Sequence, residues 1–400
     1  MSQQETKDKP SWSSPLIFRG HIAALDGLRG VAVLMILLLH FYERSEGQIL
    51  AGHPWVGGLT AKVAEAGRCG VPLFFVLSGF LITGILLDSK KNPHYFRDFY
   101  MRRFLRIFPL YYAVLGFILV ILPHWVKFDP SAQSIVERQA WLWTYLSNSP
   151  WAGGGWNDSN QFLLGHFWSL CVEEHFYLVW PVVILTCKPE WVATTCLLLL
   201  TASLGRRVLT NSDMVMPAIL SWTSISRLDG LFVGSLIAVC CRSQVACLRL
   251  SQSAGGASIV MGILFLVCVM LPRRLQNGLY FATFETITVF FFGSIATLAL
   301  RGSGWIHSSM QNSFLRSFGK YSYGIYVIHF ICLPAFERLF RLDYLLKALG
   351  SPLVGQFVFY CLAISSSYLL AFASWHLMEK HFLSYKRYFD YKTATAAIRA

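Results

Sequence analysis

"DGLRGVAVLMILLLHFY", residues 26–42, is an apolar helix with ionisable residues set into it: Asp26 and Arg29 at one end, His40 near the other. A bilayer span needs roughly 20 mostly apolar residues, and this stretch with its flanks reaches that length. In lipid a charge is costly and even a neutral imidazole needs a partner, so Arg29 and His40 both ask for a function. They are eleven residues apart in sequence. At 100° and 1.5 Å per residue this puts both on one face of the helix, about 16 Å apart along its axis.

The rest of the chain has the same character. Of 400 residues, 55% are hydrophobic and 14% charged, whereas soluble domains are about a quarter charged. This is the composition of an all-α integral membrane protein. Its 31 Phe, 17 Tyr and 13 Trp suit helix interfaces and headgroup boundaries. The formal charge of +13 comes from short loops between apolar spans, so topology accounts for it and no nucleic-acid partner is implied. Ten cysteines lie mostly inside apolar segments without Cys-x-x-Cys or Cys/His spacing, which implies no metal site.

About ten transmembrane helices are expected, near 25–42, 70–87, 107–123, 167–187, 191–204, 228–241, 256–272, 279–300, 321–340 and 352–378. The fifth and sixth are the shortest. With the N-terminus inside, 21 of the 34 Lys and Arg fall on the cytoplasmic side, most densely in SKKNPHYFRDFYMRRFLR, residues 89–106. Both termini are therefore expected in the cytoplasm. Residues 1–20 form a polar leader without a signal-peptide core, 21–385 the membrane domain, and 386–400 a basic cytoplasmic tail. The largest piece outside the membrane is an outer loop, 124–166, with Trp125, Trp141, Trp143, Trp151, Trp156 and the flexible run Gly153 to Gly155. LDGL occurs at 25–28 and again at 228–231, a weak echo of an inverted repeat.

A fixed cation at a cytoplasmic mouth suits a phosphate-bearing ligand, and an imidazole deep in the membrane suits proton transfer. The spacing of Arg29 and His40 fits the reach of a coenzyme A arm from phosphates to thioester. In HFWSLCVEEHFYLVWP, residues 166–181, Glu173 and Glu174 fall near the outer end of an oppositely running span. Glu173 is thus expected at the depth of His40, as its acid/base partner. GVPLFFVLSGFLIT (70–83) places Ser78 and Gly79 within a span, where small residues allow close helix approach. RRFLRIFPLYY (102–112) brings Arg102, Arg103 and Arg106 to the mouth near Arg29. SYGIYVIHF (322–330) lines Tyr323, Tyr326 and His329 along the ninth span. Each has a plainer reading: an anchor at lipid phosphates for the arginines, a packed core histidine for His40, an interfacial belt for the tryptophans.

These five stretches, in this order, resemble the membrane-bound acyltransferase 3 family, which includes bacterial O-acetylases of lipopolysaccharide O-antigen, exopolysaccharide and nodulation factors. The resemblance runs from about residue 21 to 385. It implies acyl-CoA, acetyl-CoA foremost, as cytoplasmic donor, and a sugar, glycan or lipid-linked saccharide hydroxyl as acceptor, in the cell (inner, cytoplasmic) membrane. The family's Arg-x10-His pattern falls on Arg29 and His40, and its Trp-Ser-Leu-x-x-Glu on Trp168, Ser169, Leu170 and Glu173. Its cationic pair falls on Arg102 and Arg103, and RLDGLFVG adds Arg227 and Asp229. Where the family often has Glu-Arg-Pro, this chain has Glu379, Lys380 and His381, and no appended esterase-like domain is expected. The expectation is therefore His40 and Glu173 as catalytic residues and Arg29, Arg102, Arg103 and Arg106 on the donor. Asp26, Ser78, Trp168, Ser169, Arg227, Asp229, Tyr323 and His329 support the site. The competing class is a multi-span transporter with proton-coupled buried residues.

Overall fold

The computed structural model describes residues 22–43, 54–127, 130–149, 164–210, 227–271 and 278–390. The leader, the segment containing Gly153–Gly155, Trp151 and Trp156, and the tail beyond Asp390 lie outside the described residues. Ten helices stand where ten spans are expected. They are α1 (Ala23–Glu43), α2 (Gly70–Ser89), α3 (Tyr95–Gly116), α4 (Trp168–Thr186), α5 (Pro189–Thr210), α6 (Asp229–Cys240), α7 (Gln244–Met270), α8 (Gly278–Leu300), α9 (Ser313–Phe340) and α10 (Pro352–Ser374). There is no strand among the described residues.

Eight of the described helical stretches are long and apolar enough to cross a membrane. The two helices of the ten outside that set are α5 and α6, the ones with the shortest apolar runs. With 12 residues, α6 is only about 18 Å long, against a hydrocarbon core of about 30 Å. It is nonetheless buried from Asp229 to Ser235 and packs along α2. Several helices also start earlier than their apolar windows: α3 at Tyr95 rather than 107, α7 at Gln244 rather than 256, α9 at Ser313 rather than 321. Backbone hydrogen bonding continues past the hydrocarbon into the headgroup zone, where charged side chains are solvated, so charge does not end a helix there. At the C-terminus helical turns continue to Phe389 and lie on α3, so the packed chain extends past the expected boundary at 385.

Close approach of backbones organises the bundle. A Cβ on Gly319 of α9 would run into the Asp26 carbonyl of α1, and one on Gly79 of α2 into the Leu231 carbonyl of α6. Hydrogen in place of a side chain is what lets α1 lie on α9 and α2 on α6. This makes α1 central: 61% of its most apolar window is buried, against 17% for α7. The α7 face bearing Ile259, Ile263, Leu266 and Val267 is exposed apolar surface, as a lipid-facing helix requires. Phe41, Tyr111, Phe167 and Phe359 fill the interior around α1, α3, α4 and α9.

Candidate active site

Polar side chains form a seam through this interior, and α1 carries both of its ends. At one end His40 meets α9. Its Nδ1 lies 2.8 Å from Nε2 of His329, and the rings stack with centroids 5.1 Å apart at 10°. His329 is fully buried, and its Nδ1 lies 3.0 Å from the carbonyl oxygen of Ile325 and 2.8 Å from that of Tyr326, both on its own helix. His40 keeps accessible surface, and its Nε2 is bonded to no described residue.

A third imidazole completes this end. The short turn Gly165–Phe167 leads into α4 and buries His166, whose ring lies 5.4 Å from His329 and 5.2 Å from Phe330. Neither of its ring nitrogens has a hydrogen-bond partner among the described residues. Ser169 and Tyr326 hold the turn in place: their hydroxyls are 2.5 Å apart, and Tyr326 also donates to the His166 carbonyl at 2.8 Å. Sequence reasoning passed over His166. It sits outside the apolar window of its span, and only the docking of Ser169 on Tyr326 brings it to His329.

Glu173 is not the partner of His40. It lies seven residues beyond His166, about 10 Å further along the axis of α4. Its Oε1 accepts from Ser78 at 2.7 Å and its Oε2 from Tyr177 at 3.1 Å. The charges of Arg103 and Arg106 act on it. Opposite helix polarity alone aligned Glu173 with His40; the axial stagger of α4, set by Ser78 on α2, places it about two turns away. Glu174 points into the same interior, with Oε1 buried and unpartnered among the described residues. Tyr323 spans α9 to α3, donating to the Ile107 carbonyl at 2.6 Å.

The other end is cationic. Arg29 pairs with Asp26 at 3.2 Å, one turn earlier on α1. Arg103 lies over the Tyr177 ring at 5.9 Å, with its Nε buried and unpartnered among the described residues. Arg106 makes no hydrogen bond or ion pair among the described residues, and the charges of Arg29 and Arg103 act on it. Arg102 turns to the C-terminal segment instead, meeting Asp390 at 2.8 Å and the carbonyls of Lys386 and Phe389 at 3.3 and 3.2 Å. That bond holds Lys386 within the field of Arg29, Arg102, Arg103 and Arg106. The sequence counted Lys386 only toward topology; the folding back of the tail makes it part of the cluster.

Arg227 and Asp229 belong to a separate network at the start of α6. Arg227 pairs with Glu285 and lies over the Trp168 ring at 5.7 Å. Arg207 bridges Asp229 at 2.6 Å and Glu285 at 3.0 Å. This network fixes α6 against α5 and α8 and touches the seam through Trp168. Among the described residues no group of three or more His, Cys, Asp or Glu is placed to hold a metal ion. All ten cysteines are free, and Cys171 is buried against Ser147.

Chemically, the seam offers a basic cluster able to hold an anion and, on the same helix face about 16 Å away, an accessible imidazole nitrogen able to take a proton. Comparison with known proteins gives the same direction. The family described as Acyltransferase domain matches residues 22–376. The Glu379–His381 departure lies beyond the match. O-acetyltransferase OatA of Staphylococcus aureus is 26% identical over 329 residues, covering 78% of this chain and 50% of that protein. Peptidoglycan O-acetyltransferase OatA of Listeria monocytogenes is 29% identical over 338 residues, covering 78% of this chain and 49% of that protein. The chain thus spans about half the length of these relatives. No solved structure matches.

Proposed function

The chain belongs to the membrane acyltransferase family that it matches from residue 22 to 376, and from that premise we propose that it moves an acyl group, acetyl foremost, from acyl-CoA to a glycan hydroxyl. The observation that carries this reading is the seam itself. Arg29, Arg103, Arg106 and Lys386 gather positive charge at one end with Asp26 and Asp390 as close counter-charges. His40 presents at the other an Nε2 with no partner among the described residues.

In this reading the nucleotide phosphates stay against the arginines, whose planar forks suit them, and the pantetheine follows the seam to His40. The donor then need not cross the membrane whole. His40 takes the acceptor's hydroxyl proton as the oxygen attacks the thioester carbonyl. The tetrahedral intermediate collapses with loss of the thiolate, which receives the proton from His40. Direct transfer needs no covalent enzyme intermediate, and Cys171, packed against Ser147, is not required. The names of the relatives point to peptidoglycan as the glycan class, and the positive-inside count to a donor entering from the cytoplasm.

The test is thermal stability of the detergent-purified protein with acetyl-CoA, CoA and a dephosphorylated CoA, paired with CoA-thiol release in the presence of solubilised peptidoglycan strands. A ligand that binds only the folded state raises stability by mass action. Stabilisation by CoA compounds that fades in Arg29→Ala, with release abolished in His40→Ala, is the expected outcome. No shift at saturating donor would remove acyl-CoA from the reading.

A further inference from the structure

The geometry at His40 specifies where its protons are, and from it we propose that His329 is a positioning residue that holds His40 in the Nδ1–H tautomer, leaving Nε2 as the basic nitrogen. The inference about catalysis rests on the acyl-transfer reading above; the inference about the tautomer stands on geometry alone.

Carbonyl oxygens only accept hydrogen bonds. The Nδ1 of His329 faces two of them, at 3.0 and 2.8 Å, so it carries a hydrogen. Its Nε2 faces Nδ1 of His40 at 2.8 Å, and one of these two nitrogens donates. Were His329 the donor it would be doubly protonated, an imidazolium with 0% exposure and no carboxylate bonded to it among the described residues. His329 is therefore neutral and accepts through Nε2. His40 donates through Nδ1, and its lone pair is on Nε2.

The neighbours preserve this state. Among the described residues the groups facing the pair are the imidazole of His166, the hydroxyl-bearing ring of Tyr326 and the apolar rings of Phe41 and Phe330, with the charge of Arg68 acting on His40. None is a carboxylate that would draw the Nδ1 hydrogen of His40 away. His329 is itself fixed by its own helix, so the acceptor it offers does not swing. During transfer Nε2 of His40 takes the acceptor's proton while Nδ1–H stays bonded to His329, and Nε2 then returns the proton to the departing thiolate. This is the part a carboxylate plays beside a catalytic histidine, taken here by a neutral ring. A neutral acceptor sets the tautomer without adding a second charge to the apolar interior.

Two substitutions separate positioning from packing. In His329→Gln an amide oxygen reaches the place of Nε2 and still accepts from His40; His329→Leu fills similar volume with nothing that accepts. With acetyl-CoA and solubilised peptidoglycan strands, kcat is expected to fall about 100-fold in the Leu variant and to stay within about tenfold of wild type in the Gln variant. KM for acetyl-CoA should move less than about twofold in both, because the donor's phosphates are held at the other end of the seam. Full kcat in the Leu variant, or a Gln variant no better than Leu while CoA still stabilises both, overturns the positioning role.

Nitrogen NMR of histidine-labelled wild type in detergent reads the tautomer directly, with the His40 signal identified by its loss in His40→Ala. A protonated Nδ1 and bare Nε2 are expected; the opposite tautomer overturns the inference whatever the variants do. If wild type releases no thiol from acetyl-CoA, the acyl-transfer reading fails while the NMR result still judges the tautomer.

Discussion

Ser78 on α2 donates a 2.7 Å hydrogen bond to Oε1 of Glu173 on α4, and Tyr177, one turn along α4, donates to Oε2 at 3.1 Å. A carboxylate in the interior is thereby held by two hydroxyls and by the field of Arg103 and Arg106. Glu173→Gln keeps the volume and one of the two acceptor oxygens and should cost about 1 kcal/mol, whereas Glu173→Leu strands both hydroxyls and should cost about 2–4 kcal/mol. Thermal unfolding in detergent compares the two. Equal losses would mean that the hydroxyl contacts contribute nothing.

Arg106 offers a test in which stability and binding move apart. It makes no hydrogen bond or ion pair among the described residues and feels the like charges of Arg29 and Arg103. Replacing it by Met should leave the unfolding temperature nearly unchanged, since no hydrogen bond or ion pair among the described residues is lost and the like charges of Arg29 and Arg103 offset the attraction of Asp26 and Glu173. The same change should weaken acetyl-CoA binding by about tenfold or more, or about 1.4 kcal/mol. A variant that loses stability but binds the donor as before would make Arg106 a structural residue.

Arg102 contacts the C-terminal segment at Asp390 and two carbonyls, beside Arg97 over the Phe389 ring. Because the Asp390 side chain is 72% exposed, removing it should cost only about 0.2–1 kcal/mol. Arg102→Ala loses all three contacts, and hydrogen exchange over residues 385–390 should speed up clearly more than in Asp390→Ala. Loosening Lys386 in this way should also lower CoA affinity; identical exchange in both variants would assign the hold to other contacts.

Two glycines in transmembrane helices make opposite predictions. Gly319→Ala puts a methyl where the Asp26 carbonyl lies and forces α1 from α9, with an expected loss of about 1–3 kcal/mol and lower yield of folded protein. Gly255→Ala in α7 meets nothing within 4 Å and should be neutral or stabilising by up to about 1 kcal/mol, from helix propensity alone. Measured unfolding temperatures that fall together would refute close backbone approach as the organising contact.

Read as sequence, the chain already determines an all-α membrane protein, the positions of its helices and the residue types at both ends of α1. Each follows from local properties: a bilayer selects apolar runs of fixed length, and a helix repeats every 3.6 residues, so Arg29 and His40 share a face in any fold that keeps α1. The early starts of α3, α7 and α9 escaped the apolar windows because solvation at the headgroups replaces lipid contact there. What only the tertiary structure decided is who meets whom across helices. His40 bonds to His329, 289 positions later in sequence, and Glu173 bonds to Ser78 rather than to His40. Helix polarity orders side chains along one axis, but the stagger between axes is set by contacts between helices: Gly79 and Gly319 where backbones touch, and Ser78 where α2 meets Glu173 of α4. That stagger is a property of the packed bundle, and it puts the imidazole of His329 rather than the carboxylate of Glu173 at Nδ1 of His40.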